Sequence, residues 1–337
     1  MNSKKITASI IIPYFERPKE IKRLLISLRN LTLPEPFEII VIDDGSRNKK
    51  EIKKILKDAL PKNRYQLIYM NKNVGPSRVR NVGIENSQGE FLWFLDSDTE
   101  ATDRNLLKTL VDCLRKDENL AGVGGEILKM NDKFYLIKNY FFPNWLLLTK
   151  AVQVGKKFEF HPKIISTSNM LVRKKDFLST RGFSPWLSTH EDNDLCLQLS
   201  RPGKSFLIRD DTTILHHHSS AGRDEGAFSF YNKMWKYMLV AHFNRVKILF
   251  LHFPWRIPIL PLLDMIFSPI VFCYQLFFSK VRTNELFRKK SKDSSGSFGR
   301  LVLFNIISII WAWLYAYSFL FQSLIYGRKS FIRGKNK

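Results

Sequence analysis

The chain has 337 residues, long enough for one large domain and an appendage. Its 54 Lys and Arg against 31 Asp and Glu leave a formal charge of +23, which points to an anionic partner: nucleic acid, an anionic membrane surface or a phosphorylated substrate. No zinc finger, RNA-recognition signature or arginine-rich arm is present, so nucleic acid is not expected, and Cys113, Cys196 and Cys273 lie too far apart for a Cys-x-x-Cys pair, as for free thiols in a reducing compartment.

In chain order, Ile6 to Ile12 reads as a strand stopped by Pro13, and Ile21, Leu24, Leu25 and Leu28 recur at helical spacing between Lys19 and Leu31. Phe37 to Ile42 is a second strand, ending at Asp43-Asp44-Gly45-Ser46. A helix is expected from Lys50 to Leu60, a strand from Tyr65 to Met70, a helix from Pro76 to Asn86 and a strand from Phe91 to Leu95. Such alternation predicts a parallel sheet with crossover helices. Another helix is expected over 103–117, followed by a less regular region to about residue 220, where Gly122, Gly124 and Gly125 supply turns. The composition changes after Tyr231. Two apolar stretches follow, 257–278 and 301–326, separated by a polar, basic linker that contains Arg288-Lys289-Lys290.

The chemistry-bearing residues fall at strand ends. Asp96-Ser97-Asp98 closes the fourth strand, where carboxylates project into the crevice in which open α/β sheets bind ligands. Two hard oxygen donors there suit Mg²⁺ or Mn²⁺ holding a phosphate-bearing substrate; a solvated loop is the alternative. Asp43 and Asp44 point into the same crevice and can accept from a base or a ribose, unless they form an ordinary Asp-Gly turn. The loop and helix entry from Asn73 to Gly83, with Arg78 and Arg80, suits a diphosphate. Glu191-Asp192-Asn193-Asp194 opens a helical run, either as acidic capping or as a carboxylate base beside a bound hydroxyl. His216-His217-His218 ends an apolar strand, where an imidazole can bind a metal.

The order of Ile10-Ile11-Ile12-Pro13, Val41-Ile42-Asp43-Asp44-Gly45-Ser46, Arg80-Asn81-Val82-Gly83, Leu95-Asp96-Ser97-Asp98, Glu191-Asp192-Asn193-Asp194 and the late histidines resembles the family-2 glycosyltransferases, over roughly residues 6–220. The resemblance implies an α/β GT-A fold with a mostly parallel sheet sandwiched by helices. The transferase domain would span 1–240, with a nucleotide-binding half at 1–100 and an acceptor-binding half at 101–240. A helical, membrane-associated region would follow at 241–337. It implies a metal-dependent, inverting transfer of one sugar from a nucleoside-diphosphate sugar, with UDP as the expected carrier. Pro13 with its neighbours Tyr14 and Glu16, together with Asp43 and Asp44, would line the base pocket; Arg80 would lie near the nucleotide and Asp96 by the ribose. Asp98 and His216 would hold the divalent cation, Asp192 would be the catalytic base and Glu191 would shape the acceptor site. The stretch Tyr14-Phe15-Glu16-Arg17 departs from the family pattern, and Tyr14 could stack on the base. The Gln-x-x-Arg-Trp signature of processive members is absent. Phe230 to Tyr237 instead resembles the aromatic, basic helix of non-processive ones, which favours single-sugar transfer.

The uncharged stretch 301–326 exceeds the roughly 20 residues that span a bilayer, whereas 257–278 contains Asp264 and three prolines. Two full spans would put the basic linker outside, against the positive-inside bias; re-entrant segments would keep it inside. A spanning and a shallow hairpin both remain open, and both set the transferase domain at the cytoplasmic face of the cell membrane. The N-terminal apolar run is too short for a secretory signal, in keeping with that placement. The acceptor would then be a polyprenyl-linked saccharide or glycolipid, or another glycan, with membrane lipids as neighbours. A nucleotidyltransferase and a non-catalytic membrane scaffold are the competing readings. The former needs a glycine-rich, lysine-bearing loop after the first strand, where this chain has Pro13-Tyr14-Phe15-Glu16.

Overall fold

The computed structural model describes residues 5–130, 134–140, 149–187, 189–200, 203–217, 240, 242–249, 251–253, 261, 263–267, 303 and 305–314. They group into two compact units. The first is drawn from 1–139, 152–185 and 191–224, and the second from 140–151, 186–190 and 225–337. The long C-terminal part of the second unit thus begins at residue 225, and two short inserted segments group with it.

The first unit begins with the predicted alternation: β1 (Ala8–Tyr14), α1 (Pro18–Arg29), β2 (Phe37–Asp43), α2 (Lys49–Ala59), β3 (Tyr65–Tyr69), α3 (Pro76–Glu85) and β4 (Phe91–Leu95). Then follow β5 (Thr99–Ala101), α4 (Leu106–Lys116), β6 (Leu120–Gly124), β7 (Glu126–Met130), β8 (Phe134–Tyr140), β9 (Thr149–Gly155), β10 (Glu159–Phe160), β11 (Asn169–Arg173), α5 (Lys174–Leu178), α6 (Glu191–Leu199), β12 (Ser205–Arg209) and β13 (Ile214–His216). Eight strands form one sheet in the order β10-β12-β6-β11-β4-β1-β2-β3, and five form a second in the order β5-β13-β7-β8-β9. β1 runs parallel to β2 and β4, β2 parallel to β3, and β12 parallel to β6, whereas β11 is antiparallel to both its neighbours. This is the expected α/β architecture with a mostly parallel main sheet.

Helices cover both faces of that sheet. The alternate side chains Ala8, Ile10, Ile12 and Tyr14 join Ile21, Leu24, Leu25 and Leu28 of α1, Ile52 and Leu56 of α2, and Leu106, Leu107 and Leu110 of α4 in one core cluster. Each such leucine contributes roughly 1.5–3 kcal/mol by leaving water. On the other face α3 packs closely enough that Gly83 lies against Ile11 and Ile42, and Phe94, Phe177 and Phe183 stack edge to face or tilted at 5.1–5.9 Å. Pro13 does not stop β1 as expected. Pairing with β4 ends at Ile11↔Phe94, while pairing with β2 continues to Tyr14↔Asp43, so Pro13 sits where one edge of the strand is open and its missing N–H costs little.

Within the second unit, residues 242–249, 263–267 and 305–314 are helical. Their buried side mixes apolar groups (Val246, Ile248, Leu249, Ile309) with a polar cluster. Arg245 Nη2 donates to Asp264 Oδ2 at 2.5 Å and Trp313 Nε1 donates to the same oxygen at 2.8 Å. Arg245 Nη2 also lies 3.1 Å from His242 Nδ1, and the Asn305 amide 3.2 Å from His242 Nε2. Asn244 Nδ2 donates to the backbone oxygen and hydroxyl of Thr189 at 3.2 and 3.0 Å. Among the described residues no helix is long and apolar enough to cross a membrane. Most of 257–278 and 301–326, the 230–237 stretch and Cys273 lie outside the described residues.

Candidate active site

The loops after β1 and β2 are stapled together. Glu16, at φ +50°, donates its N–H to Ser46 Oγ at 3.1 Å, while its Oε1 accepts from Arg47 N at 2.7 Å. The two adjacent acids after β2 have different tasks. Asp44 accepts from Val74 N at 2.7 Å with one oxygen and from Gly75 N at 3.0 Å with the other, so it ties this loop to the start of α3. Burial pushes its carboxyl up, against those two amides. The amides expected to meet a diphosphate are thus held by Asp44. Asp43 is fully buried: Oδ1 accepts from Ser46 N at 2.9 Å, but Oδ2 has no hydrogen-bond partner among the described residues, an acceptor left over at the carboxyl end of the sheet. Pro13 is half-buried at the same end. Tyr14 corrects the expectation of a stacking ring. It lies on the core face with Ile10 and Ile12, only 2 % exposed, and burial first, then Asp43, push its phenol up. The sheet's period of two sends its ring to the opposite face from Pro13.

A second cluster forms where β4, β5 and β13 meet. Antiparallel pairing sets His216 opposite Thr99, so the imidazole arrives beside Asp98. His216 Nε2 lies 3.2 Å from Asp98 Oδ1, and His216 Nδ1 lies 3.2 Å from Glu126 Oε2. Burial lowers the affinity of His216 for its proton, and the adjoining carboxylates of Asp98 and Glu126 more than offset it, raising the imidazole to about 10. Ligand atoms of Asp96, Asp98 and His216 all fall within 4.8 Å of one another. Two carboxylates and one imidazole, with Asp98 buried and Asp96 and His216 half-buried, fit a divalent cation of the Mg²⁺ or Mn²⁺ kind. Of the three histidines, His216 faces this cluster. His217 Nε2 lies 3.0 Å from Glu100 Oε2, and His218 lies outside the described residues. Arg17, which the sequence reading passed over, places Nη1 3.2 Å from Asp98 Oδ2. Its position ahead of α1, in a chain segment leaving a strand's carboxyl end, was the available signal.

Arg80 joins this cluster to the acids of α6. It is 2 % exposed, donates from Nη2 to Asp96 Oδ1 at 2.6 Å and from Nη1 to Glu191 Oε1 at 2.8 Å, and lies over the Phe183 ring at 5.6 Å. Burial acts against its charge, but Asp96 and Glu191 hold it on; the same burial pushes the Glu191 carboxyl up against the pull of Arg80. Glu191, Asn193 and Asp194 are buried, whereas Asp192 is half-buried, and its Oδ1 accepts from Asn193 N at 2.8 Å. Asp194 serves the fold: it accepts from Ser184 Oγ at 2.6 Å, Gln198 Nε2 at 3.0 Å and Arg181 Nη2 at 3.1 Å.

Residues 9–178, half of the chain, match the family model described as glycosyl transferase family 2. The chain belongs to this family. A relative described as an uncharacterised glycosyltransferase of Rickettsia bellii is 40% identical over 90 residues, covering 27% of this chain and 12% of that protein. Another uncharacterised glycosyltransferase, of Haemophilus influenzae, is 27% identical over 193 residues, covering 57% of this chain and 61% of the relative. The crystal structure of S. aureus TarS 1-349 in complex with UDP aligns with a TM-score of 0.47 at 17% identity, over 72% of this chain and 70% of that one. The chain thus spans between about an eighth and three fifths of the first curated relatives it matches.

Proposed function

We propose that this family-2 chain is a metal-dependent, inverting glycosyltransferase that moves a single sugar from a nucleoside-diphosphate sugar, with UDP as the carrier, to an acceptor hydroxyl. The observation that carries the reading is the bridge from Asp96 through Arg80 to Glu191, which gathers the end of β4 and the start of α6 into one charged constellation. In this reading the unpartnered Asp43 Oδ2 accepts from the base, and Pro13 and Glu16 border the same pocket. Asp96 receives a ribose hydroxyl, and Asp98 and His216 hold the cation. A divalent ion there supplies positive charge to the diphosphate leaving group. Asp192, the half-buried acid of its cluster, takes the acceptor proton as the oxygen attacks the anomeric carbon from the side opposite the diphosphate. Glu191, fixed by Arg80, shapes the acceptor site.

Asp192→Asn tests the assignment. Asparagine can still accept from Asn193 N, so the variant should fold with an unchanged melting point and lose at least about 10²-fold in turnover, the lower end of a general base's contribution. Turnover near that of the wild type would remove Asp192 from the mechanism.

We place the C-terminal unit at the cytoplasmic face of the cell membrane and the acceptor among polyprenyl-linked saccharides or glycolipids. Support comes from exposed apolar side chains: Leu303, Ile310, Trp311 and Leu314 are 39–57% exposed, while Asp264, Asn305 and Ser308 are buried beside Val246, Ile248, Leu249 and Ile309. Exposed large apolar groups on one helix suit lipid better than water. Flotation of the full chain with vesicles containing anionic lipid checks this; recovery of the protein only in the pellet-free aqueous fraction would refute it.

A further inference from the structure

Glu126 has no part in the reading above, and its setting is costly. Its side chain is 4% exposed at the first position of β7, although a buried carboxylate requires a partner to remain charged. The chain goes to some lengths to put it there. Gly124 and Gly125 adopt φ +115° and +136°, and a Cβ on either would fall 2.4 Å from the Asn169 carbonyl oxygen or 2.5 Å from Ile208 Cδ1. Only glycine satisfies both restrictions, so the Gly-Gly kink ends β6 in the large sheet and starts β7 in the small one. Parallel pairing then puts Glu126 opposite Ile214, two residues before His216.

Asn169 locks this arrangement. Its amide nitrogen donates to Gly125 O at 3.2 Å and to Thr212 O at 2.8 Å, and its oxygen accepts from Trp93 Nε1 at 2.9 Å. One fully buried side chain thereby ties together the strand that ends in Asp96 and Asp98, the kink that delivers Glu126 and the turn that precedes His216. The imidazole lies between two acids, with Nε2 toward Asp98 and Nδ1 toward Glu126, each at 3.2 Å.

We infer that Glu126 is a positioning residue for the cation site: it accepts the Nδ1 proton of His216 and so presents the Nε2 lone pair on the side of Asp98. This inference rests on the proposed cation-holding role of Asp98 and His216. A histidine ligand has two non-equivalent nitrogens, and a carboxylate on one of them fixes both the tautomer and the ring plane; loss of such a partner typically weakens metal binding about 10–100-fold.

The test is a titration of the purified full chain with Mn²⁺ alone, followed by the electron paramagnetic resonance signal of the free ion, with nitrogen modulation of the bound ion as a second readout. Wild type should bind Mn²⁺ and show imidazole nitrogen coupling that His216→Ala abolishes. Glu126→Gln should bind about 10–100-fold more weakly, with the coupling diminished, while its melting point stays near that of the wild type. Binding by Glu126→Gln within twofold of the wild type, with the same coupling, would overturn the role of Glu126 and leave the cation site standing. No Mn²⁺ binding by the wild type, or binding unaffected by His216→Ala, would overturn the cation site and with it the role. Should Glu126→Gln fail to fold, ¹⁵N spectra of the wild type loaded with diamagnetic Zn²⁺ decide the matter. A His216 ring protonated at Nδ1 and ligated through Nε2 is expected, and ligation through Nδ1 overturns the inference.

Discussion

Replacing Arg80 by Met removes one charge and two hydrogen bonds from beneath the site while keeping a long, flexible side chain over Phe183. Two acids lose their partner. Asp96, with 29% of its side chain exposed, can recruit water; Glu191, with 12%, is the less able to do so. Removing one member of a buried ion pair costs about 3–5 kcal/mol, and the exposure of Asp96 puts this variant near the lower bound of about 3 kcal/mol. At about 2–4 °C per kcal/mol for a unit of this size, the midpoint at pH 7 should fall by about 6–12 °C. The pH dependence separates this cause from simple loss of packing. Burial already raises the Glu191 carboxyl, and without Arg80 it rises further, so the folded variant binds a proton more readily than the unfolded chain does. The deficit should therefore shrink as pH is lowered from 7 toward 5. Scanning calorimetry of wild type and Arg80→Met across that range reads both effects. A midpoint within about 2 °C of wild type at pH 7, or a deficit that grows on acidification, would refute the bridge as a load on stability.

The neighbouring acids after β2 should respond differently to the same change. Asp44→Asn turns an amide group toward Val74 N or Gly75 N and should lower the melting point by several degrees, whereas Asp43→Asn keeps its acceptor for Ser46 N and should mainly weaken UDP binding, read by titration calorimetry. Equal effects of both on the melting point would remove the distinction. His242 sets a pH limit on the C-terminal unit. Burial first, then Arg245, lower its imidazole to about 3 from 6.5, so it is neutral when folded and takes up a proton on unfolding. Its contribution is complete above pH 6.5 and is lost as pH falls toward 3, at about 1.4 kcal/mol per unit. Denaturant titrations at pH 7, 6 and 5 should show His242→Gln losing less stability on acidification than wild type; parallel losses would exclude His242 as the source.

The first ninety-five residues were legible because each element carries its own pattern. The four apolar positions of α1 fall on one helical face, and Phe91 to Leu95 form an uninterrupted run that pairs on both sides. Beyond residue 120 the chain divides its strands between two sheets, β10 and β11 run antiparallel to their neighbours in the larger one, and partners such as β6 and β12 lie some eighty residues apart in the chain. Their pairing depends on tertiary packing, not on local period. The place of Tyr14 is legible in the sequence: counting by two from Ile10 and Ile12 puts it in the core. Glu126 was not visible, since a lone acid after Gly-Gly has no meaning until the register of β7 against β13 is known. Arg80 was found as a motif member, but its double bridge needs the fold.

What distinguishes the acids of this site is how far the fold itself already satisfies them. Asp44 is met by two backbone amides and Asp194 by three side chains, so each holds the scaffold and has little capacity left for a substrate, while Glu191 is fixed through one oxygen by a buried arginine. Asp43 keeps one buried oxygen without a partner, Asp192 keeps access to solvent, and Asp96 is shared between Arg80 and the open side. An unfolded or unbound acid is solvated by water, and a buried acceptor without a donor costs about 1–3 kcal/mol. A ligand that supplies the missing donor recovers that cost on binding. Asp43 with its spare oxygen thus sits beside the fully met Asp44, and the half-buried Asp192 lies between the buried Glu191 and Asp194. In the proposed reading, the buried member of each set fixes the backbone that carries the acid offered to the substrate.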